Sequence, residues 1–210
     1  MARHNRDVAL GSIATSIYSG LSMPPSDEAR RADHPARSLV GRGTCPVQLV
    51  SYKHVRDGDV MAALDQSTTD DERRLAPYAV APGDILVTAR GSSLRIGEVP
   101  STFPQAYLTT TLLGIRLGPG YLPSVLAHYL ATPEGRQAVA ALSSGVVNLS
   151  ISPRALAELR VPSLSMERQQ ELSALLAAHK AARRAADLAS HQLERIIAAI
   201  SQQYLAEAQA

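Results

Sequence analysis

The chain has 210 residues, 45% hydrophobic and 19% charged, with a net charge of +2 at pH 7. Such a length buries a core without covalent staples, and the lone cysteine, Cys45, excludes a disulfide framework and a multi-cysteine zinc site. No apolar run approaches the roughly 18 residues that span a bilayer, and the opening MARHNRDVALGS has no secretory apolar stretch; a soluble, cytoplasmic protein is expected.

Residues 1–162 are punctuated by glycine and proline and read as an α+β globular domain. Met23–Gly43, with its Pro, Ser, Asp and Arg, reads as a mobile loop or insertion. Val47–Ser51 reads as a short strand. Asp57-Gly58-Asp59 and Pro82-Gly83-Asp84 read as turns. The second turn feeds Ile85–Ala89, a short apolar run of the kind that forms a buried strand. Ile96–Val99 is expected to pair with it across Gly91–Leu94. Thr109–Leu117 reads as a further strand, stopped by Gly118-Pro119-Gly120. Pro123 opens a helix to Ala131, and Thr132-Pro133-Glu134 caps a second one that runs to about Leu142. A third, short helix starts at Ser152-Pro153 and ends near Leu159.

Residues 163–210 form the second expected unit. From about 165 to 207 the chain has neither glycine nor proline and is rich in helix formers. Ser165 is placed to cap a helix, with Glu167 in its first turn; roughly 40 residues make about 60 Å. A 3-4 spacing runs through Leu172, Leu176, His179, Arg183, Ala186, Ser190, Leu193, Ile197, Ile200 and Tyr204. Its ends are apolar and its middle is polar or small. A second line, mostly alanine, lies alongside. This wide face suits a coiled-coil-type seam with another helix, the alternative being a helix packed only on its own domain.

Several chemistries are missing. There is no phosphate-binding Gly-x-x-x-x-Gly-Lys motif, no Gly-x-Gly-x-x-Gly, no His-Glu-x-x-His, no Gly-x-Ser-x-Gly elbow and no methyltransferase Asn-Pro-Pro-Tyr-like loop. The six histidines are scattered. What remains is three polar loops: Ser51–Arg56, Thr88–Arg95 and Ser143–Ser150. Their Arg, Lys, Ser, Thr and Asn side chains donate to phosphates, and Arg, Asn and Ser also read base edges. Three ordinary surface loops would look the same by composition. Lys53 and Lys180 are the only lysines against 19 arginines. That bias fits a GC-rich genome, and it also fits forked contacts to phosphate and guanine.

Taken together, Leu49-Val50-Ser51 with Asp57-Gly58-Asp59, the stretch Pro82–Gly91 and the stretch Ser152–Pro162 resemble a target recognition domain. In order and spacing the chain resembles the specificity subunit of type I restriction-modification systems, in a half-length form. The proline-rich turn and Glu-Gln pair of that family become Pro162–Gln169 here, with Arg168 between Glu167 and Gln169. The resemblance implies a mixed-sheet recognition domain followed by a long helix, and a non-catalytic subunit reading double-stranded DNA. Two copies would pair through their helices as a homodimer on a bipartite site and dock a methyltransferase subunit; a restriction subunit is a further candidate partner. S-adenosylmethionine would bind the methyltransferase, so no cofactor is expected on this chain. The expected DNA contacts are Arg90, Ser92, Ser93 and Arg95, then Lys53, His54 and Asn148. The expected helix contacts are Leu172, Leu176, Ala186, Leu193, Ile197 and Ile200. The rival reading is a structural adaptor or inhibitor with the same fold that binds no DNA; a small nuclease or transferase ranks third.

Overall fold

A computed structural model describes residues 7–22, 39–41, 43–56, 58–62, 64–144 and 149–207. The chain forms two compact units, Met1–Gln169 and Gln170–Ala210. In chain order the elements of the first are β1 (Asp7–Ala9), α1 (Leu10–Ile13), β2 (Ala14–Ser19), β3 (Cys45–Val50), β4 (Val55–Arg56), β5 (Gly58–Val60), β6 (Asp65–Thr69), β7 (Ile85–Thr88), β8 (Arg90–Gly91) and β9 (Ile96–Glu98). They continue with β10 (Tyr107–Leu108), β11 (Leu112–Leu117), α2 (Pro123–Ala131), α3 (Pro133–Ala140), β12 (Leu149–Ser150), α4 (Pro153–Ala157) and β13 (Arg160–Pro162). The final element, α5, spans Met166–Glu207. The class is α+β with a long C-terminal helix, as the sequence predicts.

The main sheet has six strands in the order β2-β11-β7-β9-β5-β4. Its centre, Ile85–Thr88, is buried at every position, which is why that segment reads as an unbroken apolar run. The expected pairing of Ile96–Val99 is present as an antiparallel register of Ile85 with Glu98 and Val87 with Ile96. A second sheet, β10-β3-β6, covers its own apolar cluster of Leu21, Val40, Val47, Leu49, Leu75 and Tyr107. The larger cluster includes Val50, Val55, Leu86, Leu108 and Leu112. Each such aliphatic side chain contributes about 1.5–3 kcal/mol through burial.

The segment expected as one strand, Thr109–Leu117, is broken. Leu112 N donates to Thr109 O at 3.0 Å and closes a turn, while the Thr109 and Thr111 hydroxyls meet at 2.9 Å. Threonine's β-branching suits a strand, but here its hydroxyls stabilise the turn that moves the chain from one sheet to the other. Gly83 sits in a turn with φ of 81° and Gly58 opens β5 with φ of 83°, backbone conformations open to glycine at no steric cost. Asp57 and most of Met23–Gly43 lie outside the described residues.

Pro82-Gly83-Asp84 does more than turn the chain. Asp84 is 1% exposed and accepts from Arg116 Nε at 2.9 Å, Arg116 Nη2 at 2.7 Å, the Tyr18 hydroxyl at 2.7 Å and Ala81 N at 2.8 Å. It thereby fixes β2, β11 and the start of β7 to one another. Burial first, and then the Asp84 charge, push the Tyr18 phenol far above its usual range, so it stays a donor. Gly114, opposite Tyr18 in register, leaves room for its ring: a Cβ there would lie 2.3 Å from Tyr18 Cζ.

The chain's first described strand pairs with the last strand of the same unit. Asp7 faces Pro162, Val8 faces Val161 and Ala9 faces Arg160 in an antiparallel ladder, extended by Leu10 N to Leu159 O at 2.8 Å. Gln169, in the first turn of α5, is 1% exposed and fully bonded. Its Oε1 accepts from Leu122 N at 2.8 Å, and its Nε2 donates to Gly120 O at 3.2 Å and Leu164 O at 3.0 Å. Ser165 caps the helix as expected, its hydroxyl accepting from Arg168 N at 3.4 Å. Among the described residues no helix is long and apolar enough to cross a membrane.

Asp84→Ala is expected to lower unfolding stability by about 1–3 kcal/mol: the Tyr18 phenol loses its acceptor, while Arg116, whose side chain is 43% exposed, takes water in place of the carboxylate. Urea unfolding of the two proteins at pH 7 checks this; a midpoint unchanged in the variant would refute it.

Candidate nucleic-acid interface

Ser51, at the end of β3, opens a tight 3-10 turn over Tyr52–His54. The Ser51 N–H donates to His54 Nδ1 at 2.9 Å, which folds the imidazole back under its own turn. His54 is consequently buried, at 4% exposure, and cannot reach a ligand from the surface. That corrects its expected role as a DNA contact: the small turn needs an acceptor facing inward, and histidine supplies one. Burial pushes its pKa below the ordinary value, against the opposing pull of Asp65, whose Oδ2 lies 3.8 Å from Nε2. Lys53 remains exposed but is ion-paired with Asp65 of β6.

Tyr52 faces outward and is the hub of the first two loops. Its hydroxyl lies 2.5 Å from Ser93 Oγ, and its ring lies under the Arg95 guanidinium with 4.0 Å from Cζ to the ring centroid. The Ser93 hydrogen bond is the main cause that draws the phenol's pKa downward. Gly91 lets the ring approach, since a Cβ there would lie 3.3 Å from Tyr52 Cε2. Tyr52 N donates to Thr111 Oγ1 at 3.1 Å, which ties the turn to the threonine corner between the sheets.

Arg95 is anchored at both ends. Its N–H donates to Thr88 Oγ1 at 2.8 Å, and its Nη1 reaches Tyr52 O and Val55 O, each at 3.4 Å. It holds the first loop against the second before any ligand arrives. Arg90 and Ser92 project from the same loop and are exposed, as is Ser93.

The third loop arrives by strand pairing. Leu149 pairs with Gly91 and Ser150 with Arg90, and Ile151 N donates to Ala89 O at 2.9 Å. Ser150 N donates to the Ser143 hydroxyl at 3.0 Å. Asn148, the contact expected there, lies outside the described residues. A cleft of about 400 Å³ opens beside the second and third loops, its polar lining formed by Ser19, Arg90, Thr110, Ser144, Ser150 and Ser152. The second loop thus contacts the first through Tyr52 and Arg95 and pairs with the described end of the third. Tyr52, Thr111 and the α3 residue Arg136, which donates from Nη1 to Leu94 O at 3.0 Å, belong to this framework and were not among the expected contacts. A lone outward aromatic beside Lys53, in a chain with 4% aromatic residues, is the signal that marks Tyr52.

Guanidinium and hydroxyl donors on a glycine-permitted close approach suit phosphate and base edges. Among the described residues no group of three or more His, Cys, Asp or Glu could hold a metal ion.

No family model matches the chain, and no curated protein matches it in sequence at a significant level. Solved structures do. A chain from a study of complex assembly and conformational transition of the type I R-M system superposes with a TM-score of 0.59 at 17% identity, over 93% of this chain and 44% of the other. The HsdS subunit from Thermoanaerobacter tengcongensis superposes with a TM-score of 0.53 at 17% identity, over 88% of this chain and 40% of the other. The chain has the HsdS fold. It spans less than half the length of these HsdS-like structures, so it corresponds to about half of such a subunit.

Acid is expected to weaken the fold through His54. Its folded pKa lies below the unfolded value of 6.5, so the unfolded state takes up the proton first. The contribution is complete above that value and is lost as the pH falls through it towards the folded pKa. Comparing urea midpoints at pH 7.5 and pH 5.5, wild type should lose more stability than His54→Gln; equal losses would show that the imbalance is absent.

Proposed function

We propose that this chain is the DNA-sequence-recognition subunit of a type I-like methyltransferase/restriction complex, non-catalytic in itself. The observation that carries this reading is an HsdS fold in which the donor-rich Thr88–Arg95 loop is packed against the Tyr52 turn and paired with Leu149–Ser150. Arg90 and Ser92, exposed and set beside the cleft, read base edges, with Ser93 oriented by Tyr52. Lys53 contributes where DNA displaces Asp65, and Arg95 acts chiefly by holding the two loops together. S-adenosylmethionine binds the partner methyltransferase, whose chemistry needs nothing from this chain beyond delivery to the site.

A good bidentate base contact discriminates by about 1–3 kcal/mol. Base-methylation maps of a host carrying the methyltransferase, with and without this chain, test the reading. A sequence motif methylated only in its presence, and lost in Arg90→Ala/Ser92→Ala, is expected. Co-purification with the methyltransferase and no effect on the methylation pattern would favour the adaptor reading instead.

Pairing of two copies through α5 completes the proposal, one copy reading each half of a bipartite site. Leu172 and Leu176 are half-buried, whereas Ala186, Leu193, Ile197 and Ile200 are exposed, the last three at 58%, 55% and 46%. Leu188 and Ile196 add further exposed apolar surface. Apolar residues at this spacing along 42 helical residues favour a helix partner over water. Sedimentation at tens of micromolar is expected to give a dimer, and Leu193→Glu/Ile197→Glu a monomer with unchanged circular dichroism of the globular unit. A monomeric wild type would remove the pairing from the proposal.

A further inference from the structure

Where the C-terminal ends of the first two loops meet α3 lies a second cleft of about 300 Å³, lined by Val55, Arg56, Leu94, Arg95, Ile96 and Arg136. Its lining carries three guanidinium groups and no carboxylate. The three arginines come from β4, from the end of the Thr88–Arg95 loop and from α3, so the fold, not local sequence, brings them together. We infer that this cleft is a seat for a backbone phosphodiester of duplex DNA, gripped by Arg56 and Arg136 over a floor held by Arg95. The inference rests on the DNA-reading function proposed above and adds to it an interaction that carries no sequence information.

The geometry supports that assignment at each arginine. A guanidinium has five N–H donors in a rigid fork. Arg136 engages Nε with Ala131 O at 3.0 Å and Nη1 with Leu94 O at 3.0 Å. Its Nη2 has no partner among the described residues, and the two bonds fix the fork before a ligand arrives. Arg95 engages Nη1 with two carbonyls and lies over the Tyr52 ring, which leaves Nε and Nη2 without an acceptor among the described residues. Arg56 is exposed and its side chain has no hydrogen-bond or ion-pair partner among the described residues. Three cationic side chains lining one cleft, with no carboxylate in that lining, favour a ligand that carries negative charge. The remaining lining, Val55, Leu94 and Ile96, is aliphatic and offers no side-chain hydrogen-bonding group besides the three forks. A tetrahedral phosphate offers oxygens to several forks at once, and Arg is the side chain suited to it. The cleft is continuous in sequence with both the Tyr52 turn and the Thr88–Arg95 loop. A phosphate seated there would fix the register in which Arg90 and Ser92 meet the bases. Arg56 and Arg136 also answer the question of charge: with Lys53 paired, a net charge of +2 suffices only if cations are concentrated where the backbone passes.

The test uses the intact chain and two random-sequence duplexes of unrelated composition, followed by fluorescence anisotropy from 25 to 200 mM salt, the range set at roughly the low-to-physiological span over which counterion release is read. Arg56→Gln is the cleanest variant because it breaks no internal bond; Arg56→Gln/Arg136→Gln removes both grips, and Arg56→Lys restores charge alone. Wild type should bind both duplexes at low salt. Arg56→Gln should weaken both by the same factor, about 3–10-fold, and flatten the log–log salt slope by about 0.9 for each phosphate no longer neutralised. Arg56→Lys should recover most of the slope. The double variant should go further with a circular dichroism spectrum like wild type. If wild type binds and Arg56→Gln and the double variant bind equally well with the same slope, the phosphate seat is wrong while the reader stands; the cleft would then suit an acidic protein surface. If wild type binds neither duplex at any salt, the reading function and the seat fall together.

Discussion

A single buried carboxylate organises the globular unit. Asp84 accepts four hydrogen bonds from three different parts of the chain and is itself buried, while its partners Arg116 and Tyr18 keep partial access to solvent. A buried charge without such partners would cost several kcal/mol, so the sheet can form in only one register around it. Tyr18 of β2, Arg116 of β11 and the turn before β7 must all arrive together. The loop that leaves β7 therefore starts from a fixed point. Thr88, with no exposed surface, closes that loop onto Arg95.

From there the interface is assembled by direct packing rather than by long-range charge. Gly91 admits the Tyr52 ring, Arg95 covers it, and the β8–β12 pairing brings the third loop alongside. These interactions are made within the protein, so the donors are oriented without help from a ligand. Preorganisation of this kind lowers the ordering cost of binding. It also divides the cations into two groups. Arg95 and Lys53 hold partners of the protein's own, while Arg90 and Arg56 are held out to solvent.

Much of this was legible in the amino-acid order. Pro82-Gly83-Asp84 and the apolar run after it announce the central strand. The proline and cap residues at Pro123, Thr132 and Ser152 announce three helices, and the glycine-free tail announces the fourth long one. The three polar loops stand out by composition. What was not legible depends on partners far away in sequence. His54 reads as a surface donor until its fold-back onto Ser51 is seen. The threonines at 109–111 favour a strand by propensity, yet their hydroxyls close a turn that joins two sheets. Ala14–Ser19 shows no clean alternation, because Tyr18 and Ile17 are both only half-buried. Arg56 and Arg136 lie 80 positions apart in the numbering, and no spacing rule connects them.

The ladder between β1 and β13 has a consequence for how such a chain can evolve. It sets Asp7 beside Pro162, so the first and last described strands of the globular unit lie side by side. Among the described residues every strand of every sheet lies between those two points. Any exchange or insertion between those points must keep this ladder, because its three residue pairs tie the two ends of the span together.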